Sequence, residues 1–291
     1  MWTGALSAVP DTHSPFRPDV RLTQDQTAAV VAAVADALVD AELTVEELDE
    51  AVVSRAGAWA GDLVIPAFQG FWPRWRQAIA QAAYAGALVF GADRGRKVTY
   101  TSPRRVVSGF APEDPATAVP SFLRRYLDAF GPATPEHLAR WLSAPVPWAT
   151  EVFASAGPGV EPVEVAGQQR WVNAGDTEPA VLRPSVRLLP YFDALSVGFQ
   201  PREDMFPGRA AERALARGQA GNFPVLVVDG VVTGVWHLRR AGRRVHITVE
   251  TWGRLGASRM RGLERQAERI GEIVDGEAVL TQGQVSVGPH A

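Results

Sequence analysis

Thirteen arginines stand between residues 201 and 270, against seven carboxylates. Side chains of this type hold phosphate oxygens by charge-assisted hydrogen bonds, so a basic stretch can bind a polyanion even within an acidic protein. Three groups are candidates for a DNA backbone: Arg74 and Arg76 beside Trp72 and Trp75, the cluster Arg94, Arg96 and Lys97, and Arg239 with Arg244. Plain arginine-rich composition accounts for the same counts equally well. Asp193 follows an apolar run and could act as a base or contact a sugar, although an aspartate there also closes turns by accepting backbone N–H groups. Asp229, before a glycine, reads first as a turn residue. His237 and His246 could touch phosphate or an extruded base, or form an exposed cross-strand pair. The five histidines show no metal-ligand spacing, which argues against a zinc site. No glycine pattern for a nucleotide phosphate occurs, and no cofactor is expected.

The 291 residues suffice for two or three small domains. A charged fraction of 21% and a mean hydropathy of −0.04 describe an ordinary soluble chain, with no run approaching a membrane span. The absence of cysteine fits the cytoplasm. The net charge of −3 argues against a wholly basic nucleic-acid binder, but the charge is unevenly spread. Residues 1–60 hold three cations against ten carboxylates, whereas 201–270 carry the arginine excess.

Positioning these groups requires a scaffold. From Thr23, a plausible N-cap, Val30, Val31, Val34 and Leu38 recur on one helical face. A second helix starts at Thr44, with Glu47 completing a capping box. A third is expected over 72–84, with Pro73 in its first turn. Residues 87–91 and 97–100 then flank the basic tip 92–96: strand, tip, strand, which is a wing. After a Pro-rich linker over 109–120 the layout repeats. Residues 121–130 are helical, Thr134 caps a helix from Pro135 to Leu142, 146–156 form a third helix, and 162–172 form a short wing round Gly167. The boundaries read 1–22 as a linker, 23–108 as one winged helix, 109–178 as a second, and 179–291 as a β-rich domain with a terminal helix over 258–274.

In that last domain, Val225–Val228, Asp229-Gly230 and Val231–Trp236 read as a hairpin. A further strand follows a turn at Ala241-Gly242, which sets Trp236 opposite Ile247, His237 opposite His246 and Arg239 opposite Arg244. One face is then apolar and the other basic. Met205 to Gly218 is helix or loop, and 278–281 form a last strand.

Leu188-Leu189-Pro190-Tyr191-Phe192-Asp193, followed by Val228-Asp229-Gly230 and Gly234-Val235-Trp236, resembles the C-terminal part of a bacterial winged-helix DNA-binding domain family, relatives of the DNA glycosylases that unhook interstrand crosslinks. Residues 66–70 and 90–96 also resemble it closely. The resemblance implies an α+β fold with tandem winged helix-turn-helix units, then a mixed, mainly antiparallel and barrel-like β domain. Trp2-Thr3-Gly4-Ala5-Leu6-Ser7 resembles the point after the family's first winged helix, which implies a chain starting where that domain ends. Family glycosylases carry a glutamine-x-glutamine motif in that domain to place the attacking water. Gln24-Asp25-Gln26 and Gln282-Gly283-Gln284 match it outside that context. The family's arginine-glycine-threonine-leucine-histidine segment is absent, and the segment after Asp193 is altered to Gly198-Phe199-Gln200-Pro201-Arg202-Glu203-Asp204.

The expected function is therefore double-stranded DNA binding without catalysis, with no membrane or metal partner. The alternative is a DNA glycosylase acting on alkylated or crosslinked bases, for which Asp193 is the candidate catalytic residue. A protein–protein scaffold is a third reading.

Overall fold

The computed structural model describes residues 1–10, 16–67, 70–178, 181 and 183–289. Phe68 and Gln69, within one resembling segment, and His13 and His290 lie outside the described residues. The chain divides into two compact units, 1–174 and 175–291.

The first unit opens with helix α1 (Trp2–Ser7), in the stretch read as a linker. It packs against α4 and α6, with Ala5 buried and Trp2 edge-on to Phe122 at 5.1 Å. Helices α2 (Gln24–Leu38) and α3 (Val45–Ala56) start at Thr23 and Thr44. Each threonine accepts from the N3 backbone while Gln26 or Glu47 accepts from the threonine N–H, so both ends are closed by capping boxes. Val30, Val34 and Leu38 meet Leu48 and Val52 around Trp75.

The expected helix over 72–84 is shorter and broken. Strand β3 (Gly70–Pro73) pairs with β2 (Leu63–Ala67), residues 74–78 form a 3-10 turn, and α4 spans only Ile79–Tyr84. Pro73 biases Trp72 toward extended backbone, which delays the helix. The wing has β4 (Val89–Phe90) and β5 (Thr99–Thr101), with β1 (Glu42–Thr44) as the third strand, in the order β1-β5-β4.

After the short α5 (Pro103–Val106), helix α6 (Pro115–Phe130) starts inside the expected linker, with Asp114 as cap and Pro115 at its first position. Pro120 costs it one backbone bond, but the helix continues because Ala118, Phe122, Leu123, Tyr126 and Leu127 all bury. Helices α7 (Pro135–Leu142) and α8 (Val146–Ser155), then the hairpin β6 (Val160–Val165) and β7 (Gln168–Asn173), complete the second winged helix as expected.

The second unit holds a mixed five-stranded sheet curled into a half-barrel. Its strands are β8 (Val186–Leu189), β9 (Val225–Val228), β10 (Val231–Ala241), β11 (Arg244–Thr251) and β12 (Glu277–Gln282), in the order β12-β11-β10-β9-β8. Short helices α9 (Ala194–Gly198), α10 (Arg202–Met205) and α11 (Arg209–Ala214) join β8 to β9. Helix α12 (Ala257–Ile273) makes the crossover that sets β12 parallel to β11.

Strand β9 is buried on both faces. Val225 and Val227 pack with Met205, Phe206 and Ala210, while Leu226 and Val228 pack with Trp236 and with Leu263 and Ala267 of α12. The one-sided pattern therefore holds only at the outer ends of β10 and β11. Asp229 and Gly230 adopt φ 52° and 86°, the two left-handed positions of the expected tight turn.

The β10–β11 register differs from the expectation by two residues. Trp236 pairs with Val249, His237 with Thr248, Leu238 with Ile247, Arg239 with His246 and Ala241 with Arg244. The loop is Gly242-Arg243, with Gly242 at φ 60°. A two-residue turn starting on glycine needs left-handed backbone only there, whereas a loop at Ala241-Gly242 would have forced it on an alanine. A shift of two leaves every side chain on its expected face, so the apolar and basic faces survive while the cross-strand partners change.

Candidate nucleic-acid interface

Sequence reasoning grouped the cations by proximity along the chain, and folding gives each group a different setting. Arg74 reaches Asp62 at 3.1 Å and is 19% exposed. Arg76 is held by Asp49, with contacts of 3.2 and 2.6 Å, and stacks over Trp72 at 5.7 Å. Asp49 also accepts the indole N–H of buried Trp75 at 2.8 Å. Arg76 thus ties the broken third helix to α3, and Arg74 ties it to Asp62 at the start of β2.

At the wing tip, Arg94 donates to Glu47 at 3.0 Å and to the Glu42 carbonyl, and Lys97 lies 3.5 Å from Glu46. Arg96 is exposed and has no partner among the described residues. The acidic start of α3 thus lies directly under the basic tip. The backbone N–H of Thr44, with Arg94 second, holds the Glu47 carboxyl below the usual glutamate range. Glu46 is lowered by hydrogen bonds from its own backbone and from Thr44, then by Lys97.

The β10–β11 hairpin is the open case. Arg239, Arg243 and Arg244 are exposed and have no side-chain partner among the described residues. His246 and His237 lie on the same strand face as Arg239. Arg240, on the opposite face, donates to the carbonyls of Gly242, Val274 and Asp275, which ties the hairpin to the end of α12. Arg243 was not singled out from the sequence, which set the turn one residue earlier. The glycine before it was the available signal.

Asp193 caps α9 by accepting the Leu195 N–H on Oδ1 at 2.9 Å; Oδ2 has no partner among the described residues. Beside it, Phe192 is held at φ 53° and is 62% exposed. Left-handed backbone in a bulky residue is uncommon and persists only where the surroundings impose it. Asp229 accepts the Ser185 N–H at 2.8 Å and the Arg259 guanidinium at 2.5 Å. The first of these, then Arg259, lowers its pKa. Gln26 is committed to the α2 cap, whereas Gln24 is the helix's first residue. Gln282 ends β12 with its amide 3.1 Å from the Met260 sulfur. Gln284 lines a shallow cleft with Arg209 and Glu250. Among the described residues no cluster of three metal-ligating side chains occurs, and no helix is long and apolar enough to cross a membrane.

Two helix-turn-helix-wing units and a half-barrel whose hairpin offers unpaired arginines define a winged-helix α+β protein. The sequence model of the family "DNA glycosylase AlkZ-like" matches residues 2–273, and the chain belongs to that family. A curated relative, the interstrand DNA cross-link repair glycosylase of Streptomyces sahachiroi, is 32% identical over 173 residues. That match covers 56% of this chain and 46% of the relative, so the aligned part spans about half of the relative's length. The solved structure of the Streptomyces sahachiroi DNA glycosylase AlkZ shares the fold at a TM-score of 0.72 and 23% identity, over 97% of this chain and 76% of that one.

Proposed function

We propose that this chain binds duplex DNA in base repair and excises alkylated or crosslinked bases. The observation that carries this reading is the family match across residues 2–273. The unpaired hairpin arginines support the binding half, because phosphate contacts supply most of a protein's affinity for duplex DNA. Excision requires the target base to leave the stack. The exposed ring of Phe192 is of a kind that fills the gap left behind, and the unpartnered Oδ2 of Asp193 is of a kind that orients water or stabilises a cationic sugar.

Binding without excision is the second reading. Gln26 closes a helix and Asp193 caps another, so neither is wholly free for chemistry. One experiment separates the two. The full chain is incubated with duplex carrying N-alkylated purines or a crosslink, and abasic sites are then cleaved by heat or base. Dose-dependent strand breaks that vanish in Asp193→Asn, which keeps a capping side chain, support excision. Salt-sensitive duplex binding with no breaks above background supports the second reading, and the absence of both overturns the proposal.

A further inference from the structure

A second cleft, of about 470 Å³, lies in the C-terminal unit, built by residues far apart in sequence. Its apolar wall consists of Val228, Val231, Val232, Leu255 and Trp252. The indole N–H of Trp252 donates to Glu250 at 3.3 Å, and its backbone N–H donates to the Thr233 carbonyl at 3.0 Å, so both the ring and the backbone that carries it are anchored. The charged lining is Arg209, Arg254, Arg259 and Asp229. Asp229 neutralises Arg259, but Arg209 and Arg254 are exposed with no partner among the described residues. Thr233 also lines the cleft, and its hydroxyl, shut off from solvent, has no partner among the described residues.

An apolar wall, an aromatic side chain and a net excess of guanidinium describe the complement of a planar ring that carries an anion. The volume falls within the range of small-ligand sites. We propose that this cleft binds a nucleoside monophosphate unit, with the base against Trp252 and the valines and the phosphate between Arg209 and Arg254. The unit could be a free nucleotide or the 5′-phosphorylated end of a single strand. The inference does not rest on base excision, since a chain that excises nothing can still fill this cleft.

The test is calorimetric titration of the full chain with adenosine 5′-monophosphate, adenosine, inorganic phosphate and a 5′-phosphorylated deoxydinucleotide. The monophosphate should bind at least tenfold more tightly than either adenosine or phosphate alone. The dinucleotide binding more tightly still would assign the site to strand ends, and equal binding would assign it to free nucleotides. Arg209→Ala with Arg254→Ala, both at exposed positions, should weaken the monophosphate at least tenfold without lowering the melting temperature. No heat of binding from any nucleotide at millimolar concentration, or affinity unchanged in the arginine double variant, overturns the proposal.

Discussion

The wing of the first winged helix and the β10–β11 hairpin are both short ribbons tipped with cations, yet they meet opposite surroundings. Under the wing lies the N-terminus of α3, where Glu46 and Glu47 pair with Lys97 and Arg94. Under the hairpin, Arg240 alone is tied down, to backbone carbonyls, while Arg239, Arg243 and Arg244 stay unpaired among the described residues. Exposed ion pairs contribute little to stability, but a cation already facing a carboxylate must exchange it before meeting a phosphate. The density of positive side chains is therefore a poor measure of available positive charge. Judged by sequence, the projecting wing is the stronger phosphate ligand. On these pairings we propose the reverse order, and the observed register sets Arg239 opposite His246 and Arg244 opposite Ala241, which lessens the Arg239–Arg244 repulsion.

The largest effect should come where a cation serves the fold. Asp49→Ala leaves the Trp75 indole and the Arg76 guanidinium without their acceptor in a mostly buried setting. It should cost about 2–4 kcal/mol of stability in denaturant titrations. A loss below about 1 kcal/mol would mean that Arg76 is free after all. Next, Arg239→Ala with Arg244→Ala should weaken duplex binding about tenfold at moderate salt. Two lost phosphate contacts should also reduce the slope of log K against log salt by roughly 1.8, with melting unchanged. Fluorescence anisotropy on one duplex reads both. In the same assay, Arg94→Ala with Arg96→Ala should cost less than about threefold, since only Arg96 is unpaired. If the wing variant loses more than the hairpin variant, the comparison fails.

The smallest effect is on pH. The folded pKa values of Glu46 and Glu47 are depressed, so their contribution is fully present above the ordinary glutamate value of about 4.3 and is lost as pH falls through the lower folded values. Urea titrations of wild type and of Glu46→Gln with Glu47→Gln should diverge above that window and converge below it. At neutral pH the same double variant frees Arg94 and Lys97, and duplex affinity should rise a fewfold. No rise would show that the pairs do not restrain the tip.

The local signals were legible in the sequence because they act over three or four residues. Thr23 with Gln26, Thr44 with Glu47, and Thr134 before Pro135 mark helix starts through their own backbone bonds, and Asp229-Gly230 marks a turn by its φ requirements. The strand period assigned faces correctly even where the partners were wrong, because a shift of two residues leaves parity unchanged. Tertiary structure alone decided which charges are free, since Glu47 reaches Arg94 and Asp49 reaches Arg76 across separations that no periodicity encodes. It also decided the double burial of β9, which depends on α10, α11 and α12 covering opposite faces of one strand. The Trp252 cleft arises in the same way: its lining comes from three separate segments between Pro207 and Arg259, and their convergence follows from the sheet order.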